Sequence, residues 1–144
     1  HTQMSDIWVR YNPECTDLSK ANEEHDSAWY PAFYELPAIR PIVFFLMARV
    51  EGERLGGVLI TKIPPGCVID PHIDRSWHAD YYDKFYVSLQ SEPGANFYCE
   101  DEVINPRRGD IYWFDNSHRH WVTNESNEDR MTLICCIRTH RFRD

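Results

Sequence analysis

From Val58 onward the chain reads as a series of short segments rich in β-branched and aromatic residues, each closed by a turn signal, and this rhythm restricts the fold more than any other feature. Candidate strands cover residues 58–63, 67–69, 84–90, 96–100, 111–114, 120–123 and 130–138. Between them stand Pro64-Pro65-Gly66, Pro93-Gly94, Pro106 with Gly109, and the polar stretch 124–127. No helical pattern alternates with these strands, so parallel βαβ units are excluded. A run of this kind buries its apolar faces by folding into two antiparallel sheets packed on each other.

Upstream, Ile39, Ile42, Val43, Leu46, Met47 and Val50 recur at spacings of three and four, the period of a helix with one apolar face. Pro37 and Pro41 fall in the first turn, where a missing N–H costs little. Gly52 and the Gly56-Gly57 pair are expected to close this helix. The fold class expected is therefore mainly β, a double-stranded β-helix (jelly-roll, cupin-like) with one or more N-terminal helices packed on the sheet. Residues 1–35 carry scattered aromatics (Trp8, Tyr11, Trp29, Tyr30) around an Asn12-Pro13 turn and read as an irregular arm with room for one short strand. The long aromatic and charged loop 75–83 reads as a lid or substrate wall, or as a packed surface loop.

Composition narrows the function classes. With 144 residues, 42% of them hydrophobic, the chain suits one domain over 1–144, with its core in 36–138. Fifteen basic against 23 acidic residues give a net charge of −8, which argues against a protein that tracks nucleic-acid phosphates. The small basic tail of Arg138, His140, Arg141 and Arg143 reads as a solvated C-terminus. Cys15, Cys67, Cys99, Cys135 and Cys136 are odd in number and lack CxxC spacing, so a disulfide framework is not expected and a reducing, cytoplasmic setting is. The longest apolar run, 41–48, is far below a membrane span.

Chemistry is concentrated in His72-Ile73-Asp74, in the segment 114–120 that ends on His118, Arg119 and His120, and in Arg130. On an extended segment, side chains two apart share a face, so His72 and Asp74 can grip one ion from one side. One more imidazole completes two histidines and a carboxylate on one face of a metal, with the opposite positions open, as in non-haem Fe(II) oxygenases. A second pair, His78 and Asp80, lies in the polar loop, whereas His72 follows a strand that can hold its direction. Of the distal histidines, His120 opens an extended run and His118 sits in a turn, so His120 is preferred. Singly, each histidine is more often structural than a ligand. Arg130 changes the balance: with Thr132 on the same strand face it can hold a carboxylate through a guanidinium and a hydroxyl, the anchor that a 2-oxoglutarate-binding oxygenase requires. The competing reading of Arg130 is a surface ion pair with Glu128 or Asp129.

The segments Ile63-Pro-Pro-Gly66, Ile69-Asp-Pro-His72 and Gly109-Asp-Ile-Tyr-Trp-Phe-Asp-Asn-Ser117, with His120 and Arg130, resemble the aspartyl/asparaginyl β-hydroxylase branch of the Fe(II)/2-oxoglutarate-dependent dioxygenases. The resemblance covers about residues 36 to 138 and is nearest to short phage and bacterial versions. It implies that His72 and His120 bind iron and that Arg130 anchors the co-substrate. It also implies that Lys84 and Tyr86 stand where the family has an arginine and a histidine contacting 2-oxoglutarate. The expected reaction is hydroxylation of an unidentified substrate, a protein or peptide residue or a small molecule, with O2 consumed and succinate and CO2 released. Animal members carry a small residue in place of Asp74 and an added repeat domain that holds their protein substrates, so their substrate does not transfer. Two other classes stay open: a cupin-like metal module without oxygenase activity, with His118 or His78 as a fourth ligand, and an interaction domain presenting Trp77, Trp113 and Trp121.

Overall fold

A computed structural model describes residues 4–14 and 19–140; Cys15, Arg141 and Arg143 lie outside them. In chain order the elements are β1 (Ser5–Tyr11), β2 (Ala28–Trp29), α1 (Pro31–Glu35), α2 (Ile39–Arg49), β3 (Arg54–Ile63), β4 (Val68–His72), α3 (Trp77–Tyr81), β5 (Asp83–Gln90), β6 (Ala95–Cys99), β7 (Glu102–Ile104), β8 (Ile111–Trp113), β9 (His120–Asn124) and β10 (Arg130–Arg138). They build a six-stranded sheet in the order β2-β1-β3-β10-β5-β8 and a four-stranded sheet in the order β4-β9-β6-β7, every pairing antiparallel. This is the double-stranded β-helix expected from the strand rhythm. Among the described residues no helix is long and apolar enough to cross a membrane.

β10 shows how the layers form. Alternation sends Leu133, Cys135 and Ile137 to one face, where they pack with Val58 and Phe85 under Phe33 of α1 and Val43 and Leu46 of α2. Ile134 and Cys136 go to the other face, among Ile63, Tyr86, Phe97 and Val122 between the two sheets. Val43, Val58 and Leu133 are wholly buried, each contributing about 1.5–3 kcal/mol through removal from water. Arg130 and Thr132 share the inter-sheet face, so the strand that closes the apolar core also carries polar groups into the interior.

Four segments differ from the sequence expectations. The arm 1–35 contributes β1, a full neighbour of β3; a register shift between Trp8 and Arg10 breaks the alternation that marks a strand. The 75–83 segment contains α3, capped by the Ser76 hydroxyl accepting from the Ala79 N–H at 3.0 Å. β7 is a short exposed edge reached through a turn in which Glu100 has φ 53°, a conformation that its sequence does not announce.

The Gly56-Gly57 pair does not close α2 but lies within β3. There a Cβ on Gly56 would come within 2.7 Å of the Tyr82 ring, and one on Gly57 within 2.9 Å of Tyr11. The glycines are the notch into which the segment after α3 is pressed. His78 is buried and its Nε2 accepts the Gly57 N–H at 3.0 Å, so the ring is neutral with its proton on Nδ1. Burial chiefly, helped by His25 and Lys84, lowers its pKa to about 3.

Gly56→Ala is expected to lower stability by about 1–3 kcal/mol in urea unfolding, since its Cβ would stand 2.7 Å from the buried Tyr82 ring, which would have to shift. The depressed His78 pKa has a definite sign. Below the ordinary imidazole value of about 6.5 the unfolded chain takes up a proton that the folded one refuses until about pH 3. Stability supplied by neutral His78 is complete above pH 6.5 and falls between 6.5 and 3 by about 1.4 kcal/mol per unit. His78→Gln should flatten that slope in unfolding curves taken across the window.

Candidate active site

β4 and β9 position the two histidines, and a bulge makes the alignment. Ile69 faces Val122 and His72 faces His120, so three steps along β4 match two along β9. Strict alternation from Ile69, which packs between the sheets, would turn His72 to the outside. The bulge at Asp70-Pro71 restores the phase, and proline, lacking an N–H, suits a position withdrawn from the ladder.

Both rings are then fixed in the same way. His72 Nδ1 lies 2.8 Å from the Asp70 carbonyl and His120 Nδ1 2.8 Å from the His118 carbonyl. A carbonyl only accepts, so each ring carries its proton on Nδ1 and turns an Nε2 lone pair inward. Asp74, whose backbone N–H donates to the Asn116 carbonyl at 3.1 Å, sets Oδ1 3.3 Å from His72 Nε2 and 3.5 Å from His120 Nε2. The three side chains offer ligand atoms within 4.8 Å of one another. His120 Nε2 is buried and has no hydrogen-bond partner among the described residues. Lone pairs turned on one another repel, and a divalent cation converts that repulsion into ligation. The donor set, two imidazole nitrogens and one carboxylate oxygen, fits a metal of the iron type.

Lys84 holds the remaining carboxylate oxygen, its Nζ donating to Asp74 Oδ2 at 2.7 Å. Burial works to raise the Asp74 carboxyl; against it act a hydrogen bond from His120, which that ring offers only when Nε2 too is protonated, and the charge and hydrogen bond of the Lys84 ammonium, and together they hold the carboxyl below its usual range. Burial likewise works against the Lys84 charge, but Tyr86, Cys136 and Asp74 raise its pKa overall, so it stays protonated. Lys84 is thus brought to Asp74, while Tyr86, two residues along β5, lines a cavity of about 460 Å³ with His72, His120, Ile69 and Phe97.

Deeper between the sheets Arg130 is 2% exposed, and its side chain donates to the Tyr112 hydroxyl at 3.2 Å. Among the described residues no carboxylate pairs with it, Glu128 and Asp129 included. Burial raises the Tyr112 phenol against the opposing pull of Arg130, so Tyr112 is neutral and its O–H is free to donate. Register sets Thr132 opposite both Thr61 of β3 and Ser88 of β5, and the buried Thr61 hydroxyl has no hydrogen-bond partner among the described residues. A guanidinium, a phenol and hydroxyls gathered without an acid make a receptacle for a carboxylate. Sequence reasoning missed Tyr112 and Thr61; the available signal was their placement on alternating strands, readable only once the register is known.

The other candidates fall elsewhere. His78 is committed to Gly57. His118 is half exposed, 3.5 Å from Asp115 and 3.9 Å from Glu100. Neither belongs to the ligand cluster. The 75–83 segment is anchored by His78 and Tyr82, yet Arg75 and Ser76 line a second cavity, of about 310 Å³, with Trp8, Tyr11, Asp74 and Lys84.

The model of the family described as aspartyl/asparaginyl beta-hydroxylase matches residues 32–139. No curated protein matches the chain. Among solved structures, an oxidoreductase of the 2OG-Fe(II) oxygenase family from Burkholderia pseudomallei aligns with a TM-score of 0.67 at 15% identity, covering 95% of this chain and 67% of that one. A Cupin 2 conserved barrel domain protein from Salinispora arenicola aligns with a TM-score of 0.44 at 15% identity, over 56% of this chain and 60% of that one. A predicted oxalate decarboxylase from Thermotoga maritima reaches 0.47 at 20% identity, over 65% and 72%. With three quarters of its length inside the family match, this chain belongs to the aspartyl/asparaginyl β-hydroxylase family and is an Fe(II)/2-oxoglutarate-dependent hydroxylase.

Proposed function

We propose that His72, Asp74 and His120 are the iron ligands and that Arg130, Thr132 and the Tyr112 phenol receive the far carboxylate of 2-oxoglutarate. The observation that carries the reading is the convergence of three ligand atoms within 4.8 Å around a buried, unpartnered His120 Nε2. The buried guanidinium without an acid partner supports the co-substrate assignment. When bound, iron and 2-oxoglutarate supply the oxidative chemistry: the keto acid is converted with O2 to succinate and CO2, and one oxygen enters a C–H bond of the substrate.

The residues of the chain do the rest. His72 and His120 present neutral nitrogens because two backbone carbonyls hold their protons on the far side. Lys84, occupied with Asp74 Oδ2, leaves Oδ1 for the metal and keeps Asp74 ionised. Tyr86 offers its phenol to the co-substrate in the 460 Å³ cavity on the histidine side. The primary substrate, a peptide residue or a small molecule, enters the 310 Å³ cavity beside Asp74, walled by Trp8, Tyr11 and Arg75. The site works in the cytoplasm on this reading, which Cys99, Cys135 and Cys136 support by forming no disulfide among the described residues.

Anaerobic titration with Fe(II) and then 2-oxoglutarate should produce a weak visible metal-to-ligand charge-transfer band. Iron bound without that band would instead indicate a metal module without oxygenase activity. Arg130→Ala should raise the 2-oxoglutarate concentration for half-saturation by about 10–100-fold while Fe(II) affinity holds, the scale of a lost charge-assisted hydrogen-bond set.

In chelator competition, His72→Ala or His120→Ala should abolish tight Fe(II) binding and His118→Ala should leave it unchanged. Lys84→Met is expected to weaken Fe(II) binding by about 10–100-fold, as for groups that orient a ligand.

A further inference from the structure

The 310 Å³ cavity beside Asp74 has an apolar part and a polar part, and the two together describe a ligand. Leu59, Ile134 and Cys136 form one wall, continuous with the apolar cluster between the sheets. Trp8 and Tyr11 of β1 form another, their ring centroids 4.7 Å apart, and Trp8 is 39% exposed. Tyr11 is held in place: its hydroxyl donates to Asn22 Oδ1 at 2.8 Å, and its ring meets His78 edge-on at 5.0 Å. Walls of this kind take an apolar or aromatic body, and the volume suits a small molecule.

The charged groups decide what that molecule carries. Among the described residues lining the cavity Asp74 is the one carboxylate, and it is engaged: Lys84 Nζ donates to Oδ2, and Oδ1 lies near both histidine rings. Lys84 is engaged by the same contact. Arg75 lines the cavity, is exposed, and makes no hydrogen bond or ion pair among the described residues. Asn22 gives its Oδ1 to Tyr11, which leaves its amide N–H groups without a described partner. Both side chains therefore offer donors. In a chain of net −8, an uncancelled guanidinium beside an apolar cavity selects an anion, and an ammonium finds no acid to meet it. We propose that the primary substrate is a small carboxylic acid with an apolar or aromatic body and no neighbouring ammonium. Arg75 and Asn22 hold its carboxylate, Trp8 and Tyr11 its body, and the C–H to be hydroxylated turns toward Asp74. This assignment rests on the reading of the cavity as the place where the substrate enters.

The test is anaerobic titration calorimetry of the full chain with Fe(II) and 2-oxoglutarate, using 3-phenylpropionate, its amide, 3-phenylpropylamine and phenylalanine as probes. The acid should bind at least about tenfold more tightly than the amide, the amine or phenylalanine, the scale of a charge-assisted hydrogen-bond set. Arg75→Gln, at an exposed position, should remove the acid's advantage over the amide, and Trp8→Ala should weaken acid and amide alike. The charge-transfer band recorded on the same samples keeps two failures apart. No band in the unaltered protein would overturn the iron and co-substrate reading, and this proposal with it. A band that forms while the probes bind equally or not at all, an advantage of the acid that survives Arg75→Gln, or a Trp8→Ala protein with unchanged affinities would overturn this proposal alone. So would bleaching of the band by 3-phenylpropionate, the sign of a carboxylate that displaces 2-oxoglutarate at Arg130.

Discussion

β10 is buried on both faces, and the rest of the molecule answers to that constraint. One face of the strand must be covered by apolar groups, which α1 and α2 supply through Phe33, Val43 and Leu46. The other face begins with Ile134 and Cys136 and ends with Thr132 and Arg130. Burial of a guanidinium is tolerable only where donors and acceptors surround it, and Tyr112 supplies one neutral acceptor without cancelling the charge. The interior therefore holds a standing positive charge, the condition for drawing in an anion.

At the other end of the same inter-sheet space the imbalance is the reverse. Asp74 and two neutral imidazoles present lone pairs to one another, with Lys84 neutralising only the side of the carboxylate turned away from the rings. On the proposed reading a metal cation would complete one end and a dicarboxylate the other, and Tyr86 lies on the strand face that joins them. The two opposite electrostatic deficits explain why so many polar side chains occupy an interior that apolar packing alone would stabilise better. The notch at Gly56-Gly57 belongs to the same construction, because His78 and Tyr82 pressed into it fix the segment that follows Asp74.

The outer face of the sheet obeys a different economy. Phe45 of α2 faces Ile111 and Trp113 across a groove that Arg49 and Arg108 also line.

Much of this was legible in the residues. Turn signals and apolar alternation marked most strands of both sheets, the three-and-four spacing marked α2, and the His-x-Asp pair with a distal histidine picked out side chains whose ligand atoms converge. Local periodicity reports which residues share a face, and that information is short-range. It failed where the period itself is broken: at the shift in β1, at the Asp70-Pro71 bulge, and at Glu100 with its positive φ. It could not assign Lys84 to Asp74, set Thr61 beside Thr132, or find Tyr112 at Arg130, because each depends on register between strands distant in sequence. The sequence by itself determined the strand rhythm, the helix and the kinds of ligand available; the tertiary structure decided which histidines meet, since only paired strands and a one-residue bulge can bring His72 opposite His120.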